Sequence, residues 1–334
     1  MQFLLLAPES RWRNSIRSIK NRGMPARTAE IRPKPGGSPA SEIGLSRWVD
    51  QHISWFFILP AVFFLAAVLA FPIVYTIGLS FFRWSGAAAT PPAWVGLGNY
   101  ADVFAGDTGF RNAIWVTAYF TGVSLLIEVT LGVGLAQLLN REFLGKGIAR
   151  TLLILPVAGT PVALALVWRH MYNPSNGIFT WFAEILRFPP QRWLADAATV
   201  IPSLVLFDVW QWTPLIMLIT LAGLVSLPAD IYEAAQIDGA SPWQSFWRIT
   251  LPLVRPTIVA ATMLRFMDSV KTFDQIYVST QGGPGIASQT LNLFVFDQAF
   301  QYLHFGYASA LLIVLFFVIL AGNVVLASVR RGQA

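Results

Sequence analysis

The chain has 334 residues, 55% of them hydrophobic and only 12% charged, with a mean hydropathy of +0.57, a balance that excludes an ordinary water-soluble domain and points to the bilayer as solvent. Its 23 Lys and Arg against 17 Asp and Glu give a net charge of +6. Nine of those cations precede residue 51, so the charge reads as membrane-proximal anchoring, not as a nucleic-acid surface. No cysteine is present, which excludes disulfides, thiolate metal sites and cysteine nucleophiles.

The opening MQFLLL lacks a basic leader and is too short for a signal-peptide core, so the N-terminus is expected to stay in the cytoplasm. Residues 7–50 mix Arg, Lys, Pro, Gly and Ser without apolar periodicity, and residues 1–53 are expected to form a flexible basic tail able to rest on anionic lipid. Crossing a hydrocarbon layer of roughly 30 Å takes about 20 mostly apolar residues. Six stretches qualify, at about 54–82, 113–139, 151–170, 199–225, 255–275 and 306–328. The fold class is therefore an all-α integral membrane protein of six transmembrane helices, since a helix satisfies its backbone within one segment and the alternation of a barrel is absent. Residues 54–329 form the membrane domain and residues 330–334 a short tail. With both termini inside, sixteen of the cations fall in or at the edge of cytoplasmic segments. The other seven, Arg83, Arg111, Arg169, Arg187, Arg192, Arg265 and Lys271, lie in spans or outer loops, as the positive-inside rule requires.

Between the fourth and fifth spans, residues 228–252 are rich in helix punctuation. Pro228 suits a first turn, Asp230 and Glu233 complement a helix N-terminal dipole, and Gly239 can take the left-handed conformation that ends a helix, which predicts one helix over about 229–238. Ser241, Pro242 and Gln244 form an S-x-x-Q capping box with Pro at the first helical position, which starts a second helix at once. Pro252 and Pro256 are expected to end the loop. The second helix places Trp243, Phe246, Trp247 and Thr250 on one side, an aromatic face that either packs on the chain's own helix ends or docks into another protein.

The loop resembles the EAA loop of binding-protein-dependent ABC importers, in which E-A-A is followed after three residues by G and after nine more by I-x-L-P. Glu233, Ala234, Ala235, Gly239, Ile249, Leu251 and Pro252 match every fixed position. VGLGNY (residues 95–100), LNRE after the second span, LLILP entering the third, WRHMYNPSNG (168–177) and FDQIYVSTQGGPG (273–285) resemble the sugar-type, maltose-like branch, with a departure at Thr180, where the pattern often continues to Asn. The resemblance implies the type I ABC importer permease fold. It assigns ATPase coupling to Glu233, Ala234, Ala235, Gly239, Ser241, Trp243, Phe246, Ile249, Leu251 and Pro252. It further implies a second permease subunit, two ATPase subunits that bind ATP and Mg, an extracytoplasmic solute-binding protein, and a place in the bacterial cytoplasmic membrane. The cargo so implied is a carbohydrate or related polyol, with glycerol-phosphate or another small polar solute as the alternative. No cofactor or metal is expected on this chain: Gly145-Lys146-Gly147 lacks the spacing and hydroxyl of a phosphate loop, GGPG at 282–285 is a turn, and His52, His170 and His304 sit singly near span ends.

Polar groups inside a span are costly and become candidates for the substrate path. Asp208, Trp210 and Gln211 precede Pro214 in the fourth span, and Arg265, Asp268 and Lys271 recur at i+3 in the fifth, where they can pair along one face. Asp208, Trp210, Gln211, Asp268 and Lys271 are taken as path-lining candidates, with helix-to-helix bonding as the competing reading. Glu128 is a further intramembrane acid with no partner visible in the sequence. A multi-pass membrane enzyme is the distant alternative, but no Asp-rich metal motif, H-E-x-x-H or G-x-S-x-G is present. A fused exporter would carry its own ATPase.

Overall fold

The computed structural model describes residues 42–86, 90–189 and 191–331. The expected tail up to residue 41 and the last three residues lie outside the described residues. Helix α1 runs Glu42–Leu79, so residues 42–53, expected within a flexible tail, are helical and lead into the apolar stretch Phe57–Leu79. Leu45, Trp48, Val49 and Ile53 already recur there at helical spacing, and no proline intervenes. The chain divides into two compact units, and of the first, residues 1–65, only helical residues of α1 are described. The second unit, from Ala66 onward, contains the remaining elements.

A two-residue hairpin, β1 (Phe82–Arg83) and β2 (Ala93–Trp94), leads into the short helix α2 (Gly98–Phe104). Asn99 ties them together by donating to the carbonyls of Ser80 at 2.7 Å and Phe82 at 3.0 Å. Helix α3 (Thr108–Leu139) begins where the Asp107 carboxylate accepts the free N–H groups of Gly109 and Phe110, so it starts a full turn before the predicted boundary.

The stretch expected as one straight third span is instead two helices, α4 (Lys146–Ala158) and α5 (Pro161–Met171), meeting at 99°. Pro161 cannot donate into the ladder, and Gly159 and Thr160 before it are extended, with ψ of 143° and 134°. Helix α6 (Ile178–Ile185) follows, then α7 (Val200–Val225), α8 (Ala229–Ile237), α9 (Pro242–Val270), α10 (Asp274–Thr280), α11 (Leu291–Phe296) and α12 (Phe305–Arg331). Among the described residues, five helices are long and apolar enough to cross a bilayer, and six crossings result if the bent pair counts as one.

Helix α7 is apolar on every side and is the most buried of the spans, as a central helix must be. Its main neighbour is α3. Gly132 sets their spacing, since a Cβ there would lie 2.7 Å from Ile216 Cγ2 and 3.1 Å from the Met217 backbone nitrogen. Close backbone approach at small residues is how helices gain contact where lipid removes the hydrophobic drive. On another face of α7, Trp168 stacks on Phe207 with centroids 5.2 Å apart, while the Tyr172 hydroxyl donates to the Ser203 carbonyl at 2.7 Å. The motif WRHMYNPSNG thus serves to dock α5 and α6 on the central helix. By contrast, no residue of Ala66–Leu79 is buried within the unit.

Gly132→Leu is expected to force α3 off α7 and destabilise the protein by about 1–3 kcal/mol, read as a lowered unfolding midpoint in detergent.

Candidate functional site

The segment between α7 and α9 is a rigid two-helix knuckle. Pro228 is the N-cap of α8, one position earlier than the expected first turn. At the other end Gly239 adopts φ +76°, its N–H donates to the Gln236 carbonyl at 3.1 Å, and the Ala240 N–H reaches the Ala235 carbonyl at 2.9 Å. This is the paired bonding that closes a helix on a left-handed glycine. Ser241 opens α9 immediately: its hydroxyl accepts from the Gln244 N–H at 3.3 Å and its own N–H donates to the Gln244 side chain at 2.9 Å. The Tyr232 and Thr250 hydroxyls meet at 3.1 Å and brace α8 against α9.

The expectation that Pro252 and Pro256 end the loop does not hold. Helix α9 runs unbroken through both, and ahead of Pro252 residues Phe246–Thr250 form a π turn in which the Leu251 N–H bonds the Phe246 carbonyl five residues back. Widening the turn makes room for a proline ring that would otherwise press on the carbonyl four residues earlier. The second helix of the knuckle and the fifth span are therefore one 29-residue helix. On its free face Trp243 is 70% and Trp247 50% exposed, with rings 5.5 Å apart. Glu233, Ala234, Gly239, Ser241 and Pro252 are also exposed. Ala235 is buried, while Phe246, Ile249 and Leu251 are half-buried.

A second constellation lies deep in the bundle. Arg265, on α9, is buried, and its guanidinium meets two buried carboxylates: Nε lies 2.9 Å from Glu128 Oε2, and Nη2 lies 3.1 Å from Glu128 Oε1 and 2.5 Å from Asp208 Oδ2. The other Asp208 oxygen accepts from Gln275 Nε2 at 2.9 Å, and the Trp212 ring covers the guanidinium at 5.2 Å. Four segments, α3, α7, α9 and α10, converge on one charge. Such a planar fork suits two carboxylates better than an ammonium could.

Of the five path candidates, Asp208 and Gln211 are wholly buried, Gln211 donating to the Gly159 carbonyl at 3.4 Å beside the α4–α5 break. Trp210 is 41% exposed, and Asp268 and Lys271 form an exposed i,i+3 pair at 3.3 Å. Arg265 therefore leaves the face that its i+3 spacing assigned to it, because two acids on other spans claim it. Glu128, for which the sequence offered no partner, is one of them. The available signal was charge balance: Glu128, Asp208 and Arg265 sit in three different predicted spans, and intramembrane charges of opposite sign seek one another.

This arrangement of spans, bent pair and capped knuckle is the type I ABC importer permease fold. A bacterial ABC transporter involved in the import of the acidic polysaccharide alginate has the same fold, with a TM-score of 0.74 at 22% identity, over 87% of this chain and 99% of that one. The chain belongs to the family of binding-protein-dependent transport system inner membrane components, whose pattern matches residues 128–332. The trehalose/maltose transport system permease protein MalF of Thermococcus litoralis is 35% identical over 285 residues, covering 85% of this chain and 96% of the relative. The trehalose transport system permease protein SugA of Mycobacterium tuberculosis is 34% identical over 274 residues, 81% and 86% of the two chains. The protein is thus an integral membrane permease subunit and not an enzyme.

Arg265→Ala should leave two buried carboxylates facing each other unpaired and cost about 3–5 kcal/mol, measured as loss of folded protein and a lower unfolding midpoint in detergent.

Proposed function

We propose that this permease carries a carbohydrate or related polyol across the bacterial cytoplasmic membrane, with both termini inside, as one of two permease subunits. Two ATPase subunits bind ATP and Mg and drive it, and an extracytoplasmic solute-binding protein delivers the cargo. The observation that carries this reading is the EAA segment itself: a doubly capped, braced knuckle that presents Glu233, Ala234, Trp243 and Trp247 to the outside. An exposed aromatic face of this kind on a rigid support is the form of a docking surface. The sugar assignment is supported by relatives named for trehalose and maltose, for trehalose, and for sulfoquinovosyl glycerol, the last of them 30% identical over 275 residues. Glycerol-phosphate remains the alternative cargo.

Trp210, Asp268 and Lys271, all exposed on the bundle, offer the path an aromatic face, a carboxylate and an ammonium, groups suited to hydroxyl-rich solutes. Asp208 and Gln211 are buried instead, Asp208 held by Arg265 and Gln275 and Gln211 by the Gly159 carbonyl.

Two measurements test the proposal. In the reconstituted complex, the binding protein loaded with one member of a panel of mono-, di- and oligosaccharides and polyols should stimulate ATP hydrolysis; stimulation by none of them overturns the carbohydrate assignment. Gly239→Val should uncouple hydrolysis from uptake. The open space around Gly239 leaves the left-handed backbone, and whatever docks there, as the source of the effect. Normal solute-stimulated uptake by that variant counts against docking at the knuckle.

A further inference from the structure

Arg265 sits on the same unbroken helix as the exposed tryptophans, eighteen residues beyond Trp247, or about 27 Å along the axis. The helix is continuous between them through the π turn and both prolines, which gives displacement of the knuckle a direct route to Arg265. The guanidinium holds α3 through Glu128 and α7 through Asp208, and Asp208 in turn holds Gln275 on α10. Residues 271–292 that surround α10 are also fastened to α3 and α5, the latter where Arg169 donates to the Val278 carbonyl at 3.3 Å. Asn292 donates to the Lys271 carbonyl at 2.6 Å, the Leu291 N–H to the Thr117 hydroxyl at 2.8 Å, and Asn112 to the Ile286 carbonyl at 2.7 Å. Gln275 is the side chain that ties the middle of that segment to the Arg265 cluster.

Buried ion clusters of this kind fix position better than they stabilise, since well-packed apolar replacements are often neutral or favourable. Contacts of 2.5 to 3.1 Å are also lost within about an ångström of sliding, so the cluster is sensitive to small displacements of α9.

We propose that Arg265 is a positioning residue that transmits movement of the ATPase-facing knuckle through Asp208 and Gln275 to the segment 271–292, a role that rests on the importer function proposed above. The test uses the full complex in nanodiscs with its ATPase and binding protein. The apolar triad Glu128→Leu, Asp208→Leu and Arg265→Met should keep its assembly, its unfolding midpoint and its basal ATP hydrolysis, while solute-stimulated uptake falls at least tenfold. Uptake at the wild-type level in that triad overturns the proposal.

A second measurement does not depend on the triad folding. The chain has no cysteine, so spin labels at Arg111→Cys and Asp274→Cys are its only thiols. Their separation should change when the complex binds ATP, and Gln275→Leu should abolish that change. An unaltered change in Gln275→Leu sinks the latch, whereas a wild-type complex with no binding-protein-stimulated hydrolysis strikes the proposed function instead.

Discussion

A guanidinium sealed inside an apolar bundle must be met by carboxylates, because an unpaired buried charge costs several kcal/mol. That requirement determines where α3, α7 and α9 stand relative to one another. Glu128 and Asp208 share Arg265, the Trp212 ring lies over it, and Gln275 satisfies the remaining oxygen of Asp208. The apolar contacts around these groups could be satisfied in several rotations of each helix, whereas the fork fits in one. Gly132, in the close contact of α3 with α7, belongs to the same frame.

The second constraint is the continuity of α9. A connector ending in prolines could have been a soft hinge between a docking loop and a span. The π turn removes the hinge, and the Tyr232–Thr250 contact braces the remaining joint at Gly239 and Ala240. Trp243 and Trp247 therefore stand on the same continuous helix as Arg265.

Much of this architecture was legible in the sequence, and for local reasons. The capping box at Ser241 and the left-handed Gly239 depend only on neighbours a few residues away, and both are present. Hydropathy locates the spans for the same reason, because each crossing is a property of one segment. The bend between α4 and α5 was missed, although Gly159, Thr160 and Pro161 mark it, because a hydropathy window averages over a break that leaves apolarity unchanged. The partners of Arg265 were missed for a different reason: i+3 spacing favours Asp268, and contacts 57 and 137 residues away carry no periodic signal. The path candidates divide accordingly, since spacing alone cannot tell an inward Asp208 from an exposed Asp268 on a neighbouring span.

The π turn at Phe246–Thr250 has a geometric consequence beyond sparing Pro252. It contains one residue more than an α-helical turn needs, and each residue advances an α-helix by about 100°. The wider turn absorbs that extra residue, so the two ends of α9 keep a nearly α-helical phase relation in which Trp243 and Trp247 face outward while Arg265 faces inward. Removing a single residue there would restore an ordinary α-helical turn and press the Pro252 ring on the carbonyl four residues back, bending α9 where the two surfaces are joined.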